Sequence, residues 1–106
     1  MNARLCPLKA SYVMRVVAKA YGVTRDELLC RSRKARLAWP RQVAMALTYE
    51  FSGLFMSEIA ELFERDRRTV GYALAEVKTT IACYPHTYGK KYIELAWHLT
   101  DAQSGR

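Results

Sequence analysis

The stretch Ile59-Ala60-Glu61-Leu62-Phe63-Glu64-Arg65-Asp66-Arg67-Arg68-Thr69-Val70-Gly71-Tyr72-Ala73-Leu74-Ala75-Glu76-Val77 decides the fold. Its first part puts Ile59, Ala60, Leu62 and Phe63 on an inward face. Glu64-Arg65-Asp66 is a tight turn, and Val70, Ala73, Leu74, Val77 and Ile81 then recur with the period of a second helix. A small residue, Ala60, stands where two helices must approach closely, and Val70 returns to the core ten residues later. This is the spacing of a helix-turn-helix. Such a unit lays its second helix in the major groove of DNA, with the first residues of that helix at base edges. Here those residues are Asp66, Arg67, Arg68 and Thr69. At about 100° per residue, Arg68, Tyr72, Ala75 and Thr79 share the face opposite the apolar stripe. Glu64 stands where such turns usually carry Gly. A left-handed backbone there costs a non-Gly residue on the order of 1 kcal/mol.

Working towards the N-terminus, a helix is predicted from about Pro40, whose missing N–H costs nothing in a first turn, to Ser52 and Gly53. Its buried stripe is Val43, Ala44, Leu47 and Phe51, and Ser57 is the expected cap of the segment that follows. Before Pro40 lies a basic stretch, Cys30 to Ala38, with no sustained apolar period; it reads as an ordered loop. Thr24 caps a short helix ending near Leu29, with Asp26 and Glu27 in its first turn. A first helix spans about Leu8 to Tyr21, with Val13, Val16, Val17, Ala20 and Tyr21 as its stripe and Gly22 as its stop. Beyond Pro85 and Gly89 a last helix is predicted over about Lys90 to Leu99. Its stripe of Tyr92, Leu95, Ala96 and Leu99 is joined by a second, Ile93 and Trp97. Both stripes pack on the domain, or the second is a surface for a protein partner or for self-association. No segment has strand alternation. The expected fold is all-α, a compact multi-helix bundle in one domain over residues 1–106.

Composition bounds the function. The 106 residues are 51% apolar and 25% charged, a globular balance, and leave no room for a large multi-step enzyme. Seventeen Lys and Arg against ten Asp and Glu give a formal charge of +7, which favours a polyanionic partner. The excess is localised. Arg31, Arg33, Lys34, Arg36 and Arg41 lie within eleven residues that hold no acid, and every charged side chain before Asp26 is basic. Arg33, Lys34 and Arg36 are the expected phosphate ligands of this loop. Arg15 and Lys19 break the apolar stretch after Ser11, so no secretory signal is read there, and no apolar run is long enough to span a bilayer. Cys6, Cys30 and Cys83 are an odd, widely spaced set, expected as reduced thiols in a cytoplasm. Cys83 and His86 lack a second close pair to complete a zinc site, and His98 reads as a packed residue. Most of the seven tyrosines also read as packing residues. No metal, cofactor or catalysis is expected.

Several motifs carry a more specific resemblance. Tyr21-Gly22-Val23-Thr24-Arg25-Asp26-Glu27-Leu28-Leu29, the basic loop, and Pro40-Arg41-Gln42-Val43-Ala44-Met45 are followed by Ser57-Glu58-Ile59-Ala60 and Arg65-Asp66-Arg67-Arg68-Thr69-Val70. Together, over about residues 17–80, they resemble the C-terminal DNA-binding domain of the bacterial replication initiator DnaA. The resemblance implies that the basic loop and the Arg of Pro-Arg-Gln contact the double helix, roles that fall to Arg31, Arg33, Lys34, Arg36, Arg41 and Gln42. The family's Asp-His-Thr-Thr-Val signature is matched by Asp66, Thr69 and Val70. Arg67 replaces the His, Arg68 the first Thr, and Tyr72 stands where the family usually has another His. The turn also lacks the family's paired glycines and is one residue shorter. These differences predict a target site unlike the initiator's own. The chain has no G-x-x-x-x-G-K-[ST] phosphate loop, so ATP-driven origin melting is not expected of it. The expected role is a nucleoid-associated transcription regulator or its DNA-binding domain; a replication or origin-binding factor uses the same chemistry, and a protein-interaction module is the third reading.

Overall fold

The computed structural model describes residues 7–31 and 34–104. They form six helices: α1 (Ala10–Tyr21), α2 (Arg25–Leu29), α3 (Ala35–Ser52), α4 (Met56–Leu62), α5 (Arg67–Cys83) and α6 (Tyr88–Gln103). No strand occurs among the described residues, and no helix among them is long and apolar enough to cross a membrane. The all-α expectation therefore holds. One apolar core draws on all six helices, from Val13 and Val17 through Leu28, Val43, Leu47, Ile59 and Val70 to Leu95 and Leu99.

α3 is the centre, packed against all five other helices. This explains why its pattern is not a single stripe: Val43, Ala44, Met45, Ala46, Leu47 and Thr48 are consecutive and all buried. Its start corrects the predicted loop. The helix begins at Ala35, and Pro40 lies inside it rather than at its first position. Proline removes one backbone donor, the one that would reach the Arg36 carbonyl. Tertiary contacts hold the turn ahead of it. Leu37 is buried, Arg36 pairs with Glu27, and Trp39 Nε1 donates to the Tyr21 hydroxyl at 3.3 Å.

The predicted Thr24 cap of α2 is present, and Glu27 completes it as a capping box. Thr24 Oγ1 accepts from the Glu27 N–H at 3.0 Å, and Glu27 Oε1 accepts from the Thr24 N–H at 2.9 Å. The Thr24 N–H first, and then Arg36, lower the pKa of the Glu27 carboxyl. The contribution of the Glu27 carboxylate to the cap is therefore present at neutral pH and is lost as pH falls through that lowered value, while the Thr24 hydroxyl bond does not titrate. α4 starts earlier than Ser57. Phe55 is its N-cap residue, and its N–H donates to Glu58 Oε1 at 2.8 Å.

The last helix departs most from expectation. α6 begins at Tyr88 and includes Gly89, which the sequence pattern places as a separator. A Cβ on Gly89 would lie 3.0 Å from the Ile81 carbonyl and 3.3 Å from that of Tyr84, so only glycine lets the helix start this close to the end of α5. Leu95 and Leu99 enter the core, but Ile93 and Trp97 do not; Trp97 is 73% exposed. The reading that both stripes pack on the domain is overturned. The 16 residues of α6 leave only one face against the bundle, and the second stripe points elsewhere. His98 is likewise exposed, 3.5 Å from the Tyr12 hydroxyl, rather than packed. None of the seven tyrosines is fully buried, and Tyr49, Tyr72, Tyr84 and Tyr88 are exposed. Cys30 and Cys83 are free and exposed; Cys6 lies outside the described residues.

Candidate nucleic-acid interface

Local bonds between α4 and α5 build the turn of the motif. The Arg65 N–H donates to the Ala60 carbonyl at 2.9 Å and the Glu64 N–H to that of Glu61 at 3.2 Å, a Schellman closure of α4. Such a closure requires a left-handed residue, and Glu64 supplies it at φ 51°. The sequence expectation for this position is met. Glu64→Gly is expected to raise stability by about 1 kcal/mol by removing the Cβ strain. Thermal unfolding checks this, and an unchanged or lower midpoint would show that Glu64 is not strained.

α5 starts under a second local constraint. Asp66 is its N-cap, and Oδ1 accepts from the Thr69 N–H at 3.0 Å and lies 3.4 Å from the Thr69 hydroxyl. That carboxylate oxygen is engaged in fixing the helix start. Ile59, Ala60, Phe63, Val70, Ala73 and Val77 are buried as the spacing demands, whereas Leu62, expected inward, is 38% exposed. The bundle thus leaves Arg67, Arg68 and Tyr72 on the outside of α5, all exposed. With Asp66, Gly71 and Met56 they line one open concavity.

Tyr72 forms a ridge, since it also lines a second groove of about 390 Å³ together with Arg31, Arg41, Gln42, Arg65 and Thr69. Five of the residues selected from sequence (Arg31, Arg41, Gln42, Thr69 and Tyr72) therefore meet in one place, although they come from the loop after α2, from α3 and from α5. Arg65, which the sequence groups with Arg67 and Arg68 as a basic cluster but to which it assigns no contact, is the further member. Its Nη1 donates to the Phe63 carbonyl at 2.8 Å and its Nη2 to the Cys30 carbonyl at 3.0 Å. Partial burial, followed by the like charges of Arg41 and Arg31, lowers its pKa.

The other selected residues are placed differently. Arg41 is only 9% exposed. Its Nε donates to the Leu28 carbonyl at 3.1 Å, and its Nη2 lies 2.9 Å from the Glu27 carbonyl and 3.3 Å from Cys30 Sγ. It holds the C-terminal end of α2. Arg36 pairs with Glu27 and lines a separate groove with Tyr21, Trp39, Tyr88 and Lys91, away from Arg31 and Arg65. Lys34 is exposed at the N-cap of α3. Arg33 lies outside the described residues.

Two packed helices joined by a tight turn, the second presenting arginines beside a cationic groove, define a domain of the helix-turn-helix class. The sequence profile described as "Bacterial dnaA protein helix-turn-helix" matches residues 10–77, and the chain belongs to that family. Over 69 residues, 65% of the chain, it is 39% identical to "Chromosomal replication initiator protein DnaA 1" of Chlamydia pneumoniae. Over 66 residues, 62% of the chain, it is 27% identical to "Chromosomal replication initiator protein DnaA" of Pseudothermotoga lettingae. These matches span only 14% and 15% of the two curated relatives.

Proposed function

We propose that this chain binds duplex DNA at a defined sequence, with α5 in the major groove and the loop after α2 on the backbone. Family membership supports DNA binding. The observation that carries the finer reading is the exposure of Arg67, Arg68 and Tyr72 at the start of α5, next to the groove of Arg31, Gln42 and Arg65. Phosphate contacts supply most of the affinity of such a surface, and base contacts choose the site. Arg68 lies opposite the buried Val70 and Val77, so its planar fork is directed to guanine O6 and N7. Arg67 holds a phosphate or a flanking base. Arg41 supports the interface from below by fixing α2.

The Arg68 assignment has a direct test. Binding sites selected from random duplexes by the wild-type protein should contain a G·C pair at one position whose preference disappears for Arg68→Ala. The expected loss there is about 1 to 3 kcal/mol of discrimination. Identical preferences at every position for the two proteins would sink the assignment.

The reader acts either as a transcription regulator, alone or as the DNA-binding part of one, or as a replication factor at an origin. The origin role is supported at least as well, because both relatives are named as replication initiators. Mapping the chain along the chromosome separates the two: occupancy concentrated at promoters supports the regulator, and a single cluster at the origin supports the replication factor.

A further inference from the structure

We infer that Arg65 is a positioning residue for DNA recognition, tying the turn between α4 and α5 to the loop after α2 and so setting the distance between the base-reading end of α5 and Arg31. The inference rests on the DNA-binding reading above and names a residue which that reading leaves without a role. Both parts of Arg65 are held. Its backbone N–H closes α4 on the Ala60 carbonyl at 2.9 Å. Its guanidinium spans from the Phe63 carbonyl, 2.8 Å away, to the Cys30 carbonyl, 3.0 Å away and 35 positions earlier in the chain. A planar fork can hold two carbonyls in fixed relative positions, which a single ammonium cannot. Arg41 grips the same segment from α3, through Glu27, Leu28 and Cys30. The segment that leads into Arg31 is therefore fixed both to the central helix and to the reading unit.

Charge distinguishes this arrangement from ordinary packing. Arg31, Arg41 and Arg65 line one groove. Like charges gathered in a partly dehydrated place oppose one another, and a bound polyanion relieves that repulsion.

The test uses Arg65→Met and Arg65→Lys, with thermal unfolding to establish that each folds; if the Met variant does not, the Lys variant carries the same comparisons. In the free protein, hydrogen exchange at the Cys30 amide, which donates to the Asp26 carbonyl at 2.8 Å, should be about tenfold faster in Arg65→Met and intermediate in Arg65→Lys. If the loop then occupies its binding position about one tenth of the time, affinity for the selected duplex falls about tenfold. A second duplex carries one extra base pair between the two protected segments, located by footprinting. Wild type should bind it much more weakly than the selected duplex, whereas Arg65→Met should bind the two nearly alike with an unchanged salt slope. Unchanged exchange at Cys30 overturns the tie. An equal loss on every duplex, with a slope lower by about 0.9, makes Arg65 a phosphate ligand and overturns the positioning role. Failure of wild type to prefer any duplex over random DNA overturns the function above and the recognition half of this inference with it, while exchange still decides the tie.

Discussion

Arg41→Ala is expected to lower the stability of the domain by about 3 kcal/mol, roughly a fifth to three fifths of what a small domain has. α2 has five residues, too few to persist as an isolated helix. Its last carbonyls have no partners within the helix. Arg41, nearly buried, supplies charged donors to those of Glu27 and Leu28. Bonds to a charged group contribute about 1.5 to 3 kcal/mol each, and alanine leaves carbonyls unpaired at a site it cannot hydrate freely. The positive charge at a helix C-terminus adds a smaller favourable interaction with the dipole. At about 4 to 8 °C per kcal/mol the melting temperature should fall by roughly 12 to 24 °C. Arg41→Lys should recover part of the loss. Thermal or urea unfolding decides the matter. A melting temperature unchanged to within a degree or two, together with weakened DNA binding, would show that Arg41 serves DNA directly, as the family resemblance implies, and not α2.

The second large effect is expected on binding rather than stability. Arg31, Arg67 and Arg68 are exposed and come from the two elements that border the grooves. Replacing all three with Ala should weaken binding to the selected duplex by about 3 to 5 kcal/mol, roughly two to four orders of magnitude. Removing one phosphate ligand flattens the plot of log affinity against log salt by about 0.9, so the slope should fall by up to about 1.8 for Arg31 and Arg67, Arg68 being assigned to a base. Stability should hold, because exposed side chains away from caps and core change it by only about 0.5 kcal/mol each. A folded triple variant with the wild-type salt slope would remove this surface from the DNA interface. The choice of residues follows from the structure. Arg36 points to Glu27 and to the side of α3 away from the arginine groove, so it is omitted.

Much of the reading unit was legible in the sequence because its features are local. The i to i+3 and i+4 recurrence of Ile59, Phe63, Val70, Ala73 and Val77 is enough to place two helices and their buried faces. The Thr24 and Glu27 cap, the left-handed Glu64 and the alignment of Arg68 with Tyr72 depend on residues within a turn or two of each other. Tertiary packing decided the rest. The start of α3 at Ala35, through a proline, depends on anchors reaching from Tyr21 and Glu27. The burial of Arg41 depends on where α2 ends in space, and the bond from Arg65 to the Cys30 carbonyl joins segments 35 positions apart that share no local pattern. Where a helix is buried without a break, as α3 is from Val43 to Thr48, its apolar residues have no phase to reveal its neighbours. The same limit governs α6: its two stripes show how much apolar surface the helix carries, but only the space left by α1, α3 and α5 determines that Leu95 and Leu99 turn inward while Trp97 stays in solvent.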